Sequence, residues 1–213
     1  MSKKHKQNLA YRAFKRFIDI VVACVGCVFL IPLTLIVKIT YLCHGDTYPI
    51  FLKQYRIGKN GKKFRIWKFR TMVPGAEEKL EDILARNKDL REEYRKNKKL
   101  EDDPRVTKMG HRFRRASLDE LPQLINVLIG NMSLVGNRPY LLPEKNEMNG
   151  YFKIITSTKP GITGWWQVNG RNNVDFNRRL ELEKYYSENQ CFTLDVKIVF
   201  KTFGTVLSRK GAS

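Results

Sequence analysis

Residues 20–37 read IVVACVGCVFLIPLTLIV, eighteen positions without a charged side chain. As a helix this run is roughly 27 Å long, close to the ~30 Å hydrocarbon core of a bilayer. A cleaved signal peptide fits poorly, because the apolar run is long and no small-x-small site follows it. Tyr41-Leu42 ahead of Cys43 are too bulky for a lipoprotein site. A domain of this size rarely surrounds eighteen apolar residues as a core helix, so the segment is expected to meet membrane. Pro32 falls inside it, lacking an N–H and crowding the carbonyl four residues back. A sharp bend there would let the helix enter and leave by one face, and Lys/Arg flank both ends, as cytoplasmic flanks do. A spanning helix is the alternative. Cys24 and Cys27 form a CxxC, but on an apolar helix they are expected to pack rather than do redox work.

Outward from this segment the charge is the next outlier. The 213 residues carry 40 Lys+Arg against 21 Asp+Glu, a formal net charge of +19. Such a chain should meet something anionic: a phospholipid surface, phosphorylated substrates or nucleic acid. Hydrophobic residues at 42% are enough for a real core. Four Cys without paired Cys/His spacing exclude a disulfide mini-scaffold and argue against a zinc module. Residues 1–16 hold six Lys/Arg and no acid, whereas 77–103 hold ten acids and eight bases. That mixed run reads as a solvated helix laced with i,i+4 pairs.

The remainder reads as an α+β chain, mainly helical. FLKQYRIGKNGKKFRIWKFRTM (51–72) is a β-hairpin around Gly58-Lys59-Asn60-Gly61, since Asn-Gly is the strongest short hairpin signal. Leu121, Leu124, Ile125 and Leu128 recur at helical spacing, 176–188 is helical, and TLDVKIVFKTFGTVLSRK (193–210) has the pattern of an interfacial amphipathic helix. The division expected is a basic N-terminus with a re-entrant membrane helix over 1–45, and a cytoplasmic-face catalytic domain over 46–213 with a helical insert at 77–103.

The chemistry-bearing stretch is Ser117-Leu118-Asp119-Glu120-Leu121-Pro122. Ser117 with Glu120 three residues on matches a capping box, which needs no catalysis. With Ser117 as N-cap, Pro122 falls at the fifth helical position; with Asp119 as N-cap it falls at the third, where its missing N–H costs nothing. Either way two carboxylates open a helix at its positive end, which would keep them ionised. Arg112, Arg114 and Arg115 precede them, so guanidiniums and carboxylates together could position a phosphate and a divalent cation.

Four runs occur in one order: Lys15-Arg16-Phe17-Ile18-Asp19, Lys68-Phe69-Arg70-Thr71-Met72, SLDELPQLINVLIGNMSLVGNRP (117–139) and KPGITGWWQVNGRN (159–172). Together they resemble the bacterial sugar transferases, monotopic polyprenyl-phosphate phosphoglycosyl transferases, over nearly the whole chain. The resemblance implies that Asp119 is the nucleophile and that Glu120 helps bind Mg²⁺. It implies phosphate-binding roles for Arg114, Arg138, Arg171 and Lys68, and a re-entrant break at Pro32. The substrates implied are a UDP-sugar, UDP-glucose or UDP-galactose, and polyprenyl phosphate, with anionic lipids around the protein, at the bacterial inner membrane. A homo-oligomer is left open. Two positions depart from the family pattern: Ile31-Pro32 replaces the usual Ser-Pro, and Asn137-Arg138-Pro139 replaces Pro-Arg-Pro, so the arginine loop loses one fixed φ. The rivals are a basic nucleic-acid-binding protein, which leaves the apolar run unexplained, and an inactive membrane scaffold.

Overall fold

A computed structural model describes residues 9–97, 100–170 and 174–207. Helix α1 (Leu9–Cys43) leads into a hairpin, β1 (Phe51–Ile57) and β2 (Lys63–Phe69), followed by α2 (Ala76–Arg86), α3 (Lys88–Asn97), α4 (Lys108–Arg115) and α5 (Gln123–Leu128). Strand β3 (Ser133–Val135), α6 (Phe152–Ile155), β4 (Gly161–Thr163), α7 (Trp165–Asn169), α8 (Phe176–Asn189) and α9 (Phe192–Leu207) complete the order. The fold is mostly helical with a small hairpin and a long apolar N-terminal helix, as expected. Asn60 and Gly61 both take the left-handed conformation (φ 56° and 77°) in the hairpin loop, which is why Asn-Gly sits there.

Two elements differ from the sequence reading. The mixed-charge insert is two helices rather than one, because the Asn87 side chain accepts from the N–H groups of Asp89 and Leu90 (3.0 and 3.1 Å) and starts α3 afresh. Its expected end, Asp103, lies outside the helix, in a buried ion pair with Arg105 at 2.5 Å. Strands β3 and β4 form a parallel pair, Ser133 opposite Gly161 and Val135 opposite Thr163, too short to carry a period-2 signal. A Cβ on Gly161 would lie 2.1 Å from the Gly136 nitrogen, so this pairing needs glycine for close approach rather than for φ.

Helix α1 is gripped by the rest of the chain along its length. Tyr11 and Lys15 donate to Asp195 of α9 at 2.7 and 2.5 Å. Arg16 donates to the carbonyls of Val127 and Leu128 (2.6 and 2.9 Å), satisfying the free C-terminal acceptors of α5. Buried Asp19 accepts from the Ser133 hydroxyl and the Leu134 N–H. Ala23 and Cys27 then pack on Leu124 and Val127, and Leu30, Val37 and Tyr41 pack among Ile50, Phe69 and Phe113. The helix continues through Pro32. Its opposite side exposes Val21, Val25, Val28, Ile31, Leu35 and Ile39. The buried and bare stripes both follow helical spacing.

Asn126 joins α5 to the hairpin. Fully buried, it accepts from the Trp67 N–H (2.9 Å) and donates to the Arg65 carbonyl (2.7 Å), pairing the edge of β2 that β1 leaves open. Asn126→Ala would strand both backbone groups in a closed interior, at about 1–3 kcal/mol each. In detergent or nanodiscs its Tm should fall by roughly 5–10 °C, read by a thermal scan against wild type; an unchanged Tm would show the pairing to be dispensable.

Candidate active site

The site begins at the end of β2. The Thr71 carbonyl accepts from the Thr107 N–H at 3.0 Å, and a Cβ on Gly110 would lie 2.0 Å from that same oxygen. The first turn of α4 is therefore laid directly on Thr71, capped by the Thr107 hydroxyl accepting from Gly110 N–H (2.9 Å). This brings Arg114 inward, where its Nε donates to the Thr71 hydroxyl at 3.1 Å, while Arg112 and Arg115 stay exposed.

Ser117 then reverses the chain. It is left-handed (φ 54°) with no side-chain cap, so the expected capping box does not form. Asp119 and Glu120 lie in a separate 3-10 turn, Leu118–Glu120, and Pro122 is the N-cap of α5. Neither registry expected for Pro122 occurs, because the left-handed Ser117 separates α4 from the acidic pair, and the turn ends before α5 begins. Asp119 is buried at 9% exposure, and Glu120 receives Lys68 Nζ on Oε1 at 2.6 Å.

The electrostatics follow from this placement and correct the helix-end reading. Burial pushes the Asp119 carboxyl above its ordinary range, Glu120 adds to the rise, and Lys68 and Arg114 pull against it. Burial lowers Arg114, with Asp119 the largest opposing influence. Four of the residues expected at the site are thus brought together: Lys68, Arg114, Asp119 and Glu120. Arg171 lies outside the described residues.

Arg138 belongs to a second cluster beside the first. Its loop is held by Asn137, whose amide nitrogen is within reach of the Ile155 carbonyl (3.0 Å), Thr158 (3.3 Å) and Ser187 (2.7 Å), so hydrogen bonds replace the proline constraint. The Arg138 N–H donates to Glu183 Oε1 at 2.9 Å. The guanidiniums of Arg138 and Arg179 both lie over Trp166, 5.5 and 4.4 Å from the ring centroid. Arg56, on β1, completes the group. Burial and the charge of Arg138 lower it to about 10, while Glu144 and Glu120 oppose the fall, so it stays cationic at neutral pH. Sequence reasoning missed Arg56, Arg179, Trp166 and Glu183.

A buried Asp119 and a half-buried Glu120, in the turn ahead of α5 and met by cations from strand and helix, define a site suited to anionic groups next to an apolar helix. The bacterial sugar transferase family pattern matches residues 10–209. The chain belongs to that family. It is 41% identical over 210 residues to an undecaprenyl-phosphate galactose phosphotransferase of Salmonella typhimurium, covering 97% of this chain and 44% of that protein. It is 38% identical over 198 residues to the exopolysaccharide production protein ExoY of Rhizobium meliloti, covering 93% and 87%. To the UDP-glucose:undecaprenyl-phosphate glucose-1-phosphate transferase of Escherichia coli it is 36% identical over 200 residues, covering 90% and 39%. The chain thus spans less than half the length of the two enterobacterial relatives. Membership covers the site stretches and sets the nucleic-acid reading aside.

Glu183 offers a test of the cluster's electrostatics. Burial raises its carboxyl to about 7, against the pull of the Arg138 N–H, Tyr140, and the charges of Arg138 and Arg179. Unfolded, it titrates near ~4.3. Between those values the folded chain keeps a proton that the unfolded chain has lost, so folding stability falls as pH rises through the window. Glu183→Gln removes the titration. Relative to wild type, the variant should gain on the order of 2–3 kcal/mol between pH 5 and pH 8, measured by denaturant unfolding at both pH values.

Proposed function

We propose that the chain transfers a hexose-1-phosphate from UDP-galactose or UDP-glucose to polyprenyl phosphate, releasing UMP. The observation that carries this reading is Asp119, a buried carboxylate flanked by Lys68, Glu120 and Arg114. The named activities of the Salmonella and Escherichia coli relatives support the substrate class. The intact acidic pair and its cations also favour this over an inactive scaffold.

In this reading Asp119 is the nucleophile. One of its oxygens attacks the sugar-linked phosphorus, the bond from that phosphorus to the bridging oxygen breaks, and UMP leaves with the electron pair. A sugar-phosphoryl aspartate remains. A polyprenyl phosphate oxygen then attacks the same phosphorus, and the Asp119 carboxylate departs unchanged. Lys68 and Arg114 offset the negative charge that gathers as carboxylate and phosphate approach. They also oppose the burial that raises the Asp119 carboxyl.

The donor set suits Mg²⁺. Glu120 is half-buried, and its neighbour Asp119 supplies a second hard oxygen donor, while among the described residues no group of three or more His, Cys, Asp or Glu converges. A cation held by one or two carboxylates and completed by water and substrate phosphates is the ordinary Mg²⁺ arrangement. Glu120, with Asp119 beside it, would hold the ion, which when bound neutralises charge on the diphosphate.

The membrane topology is part of the proposal. Residues 11–41 of α1 touch the domain on both sides of Pro32, from Asp195 through Val127 to the Arg70 carbonyl. A helix gripped so continuously has only its bare side left for lipid, which favours shallow insertion from the cytoplasmic face over a full crossing; re-entry would in addition need a bend at Pro32, through which the helix runs unbroken. The active site then stays at headgroup level, where a lipid phosphate lies.

Two outcomes are expected. Asp119→Asn should lower UMP release by at least 10³-fold without loss of Tm, and should take up no label from a radiolabelled UDP-sugar in the absence of lipid. Wild type should hold that label covalently; robust turnover without a trapped adduct would favour direct transfer between the two substrates. In cells, single cysteines at Leu9 and Asn60, in a background lacking the native thiols, should both resist an impermeant reagent added outside. Labelling of one alone would establish a spanning helix.

A further inference from the structure

The second cluster carries more positive charge than its own partners use. Arg179 and Trp166 are 5% and 6% exposed and form its floor; Arg56 and Arg138 are half-buried and form its rim. The Nε atoms of Arg56, Arg138 and Arg179, and the indole N–H of Trp166, are shielded from water, with no acceptor in reach among the described residues. Arg56 spends its other nitrogens on the Pro139 carbonyl (3.2 Å) and Gln54 Oε1 (2.6 Å). Among the described residues the guanidiniums of Arg138 and Arg179 make no hydrogen bond and lie against aromatic faces.

Buried donors left unpaired are costly, the more so where charged, so four together need a reason. The local carboxylates do not supply it. Glu144 is committed to the Leu141 N–H at 2.5 Å, and Glu183 Oε1 to the Arg138 N–H. Glu183 Oε2 has the neighbouring Tyr140 hydroxyl to turn to, and if it closed on one guanidinium instead, others would remain uncompensated. With its carboxyl titrating at about 7, Glu183 offsets only part of a full charge at neutral pH. Excess guanidinium in a half-buried cluster, with planar N–H forks and one indole N–H, is complementary to a tetrahedral oxyanion.

The pocket also faces the catalytic carboxylates. In the hairpin register Arg56 opposes Phe64 and Leu52 opposes Lys68, so Arg56 and Lys68 project from one face of the sheet. Glu120, which Lys68 holds, lies near enough to Arg56 to raise its basicity.

We propose that Arg56, Arg179 and the Trp166 N–H, together with Arg138, form a phosphate pocket adjoining Asp119 and Glu120. Arg138 is expected there from the family resemblance; Arg56, Arg179 and Trp166 are assigned by the packing. The chemistry is that of a phosphate oxyanion. Under the transferase reading, on which the choice of substrate rests, it comes from the nucleotide side of the donor or from the lipid acceptor.

The test uses the full chain in nanodiscs. Arg56→Lys and Arg179→Lys keep a charge but lose the fork, and Trp166→Phe keeps the ring but loses the donor. Binding of UMP and of a short-chain polyprenyl phosphate is measured by calorimetry, alongside KM and kcat. Each lysine variant should weaken one of the two ligands by 10–100-fold, the scale of a lost charged hydrogen bond, and Trp166→Phe by about 5-fold. The matching KM should rise with kcat changed far less. Loss of UMP affinity and of UMP exchange into UDP-sugar assigns the pocket to the donor; loss of polyprenyl phosphate affinity with exchange intact assigns it to the acceptor. Folded variants that bind both ligands within 2-fold of wild type overturn the pocket. If Arg179→Lys does not fold, rim residue Arg56 and the near-isosteric Trp166→Phe decide the matter by the same criterion. Stabilisation of wild type by inorganic pyrophosphate, lost in the variants, is read independently of turnover. A protein that binds pyrophosphate in this way but releases no UMP would keep the pocket and sink the transferase reading.

Discussion

The buried amide of Asn126 is the constraint on which the active site depends. It completes the open edge of β2 with two hydrogen bonds, and in doing so fixes α5 against the hairpin. Lys68 is one residue beyond the paired Trp67, and the acidic pair lies just ahead of α5, so this contact brings cation and carboxylates from opposite sides into one place. Arg16 of α1 satisfies the far end of the same short helix. A six-residue α5 has little helical stability of its own. Its order comes from being bonded at one end to a membrane-facing helix and along its side to a strand edge.

Much of this was legible in the sequence. The uncharged stretch 20–37 and the Asn60-Gly61 turn each rest on a local pattern that tertiary contacts did not override, whereas the acidic pair stays near Arg114 without the helix start expected for it. What escaped reading is where a contact joins distant segments. Asn126 looked like one polar residue among the apolar positions of α5. Arg56 looked like one flanking base among many, although the hairpin register puts it on the face of Lys68. Ser117 misled for a specific reason: a capping box requires extended backbone at the cap, and a residue with φ at 54° cannot supply it. Nothing local marks a serine as left-handed. Strands β3 and β4 are three residues each, below any periodicity.

The membrane helix illustrates a related point about amphipathicity. By composition 20–37 is apolar all round, which alone suggests lipid on every side. The fold instead uses one stripe of it as core, with Ala23, Leu30 and Val37 only 0%, 6% and 1% exposed. Gly26 lets the helix come close, since a Cβ there would meet Leu124 Cδ1 at 2.6 Å. The same helix is therefore a core element on one face and an apolar surface on the other. Phe200 and Phe203 on α9 are exposed as well, and Phe14 of α1 meets Phe192 of α9 edge-on at 5.4 Å.

The two charge clusters share an electrostatic logic. Near apolar surroundings an uncompensated charge is expensive, and the chain buries several: Asp119, pushed up by burial and by Glu120, and the guanidiniums of Arg56 and Arg179, pushed down. In the proposed reading a phosphate group would relieve the second cluster by supplying the acceptors it lacks, and Lys68 and Arg114 would ease its approach to Asp119. The cost is met in folding, by Asn126, Asn137 and the grip on α1, so the donors are already aimed when the substrate arrives. Fixed donors that need no reorganisation stabilise developing charge better than water does. The same fixity suits the planar guanidinium fork, and arginines supply every cation named in these two clusters but Lys68, which pairs with the half-exposed Glu120.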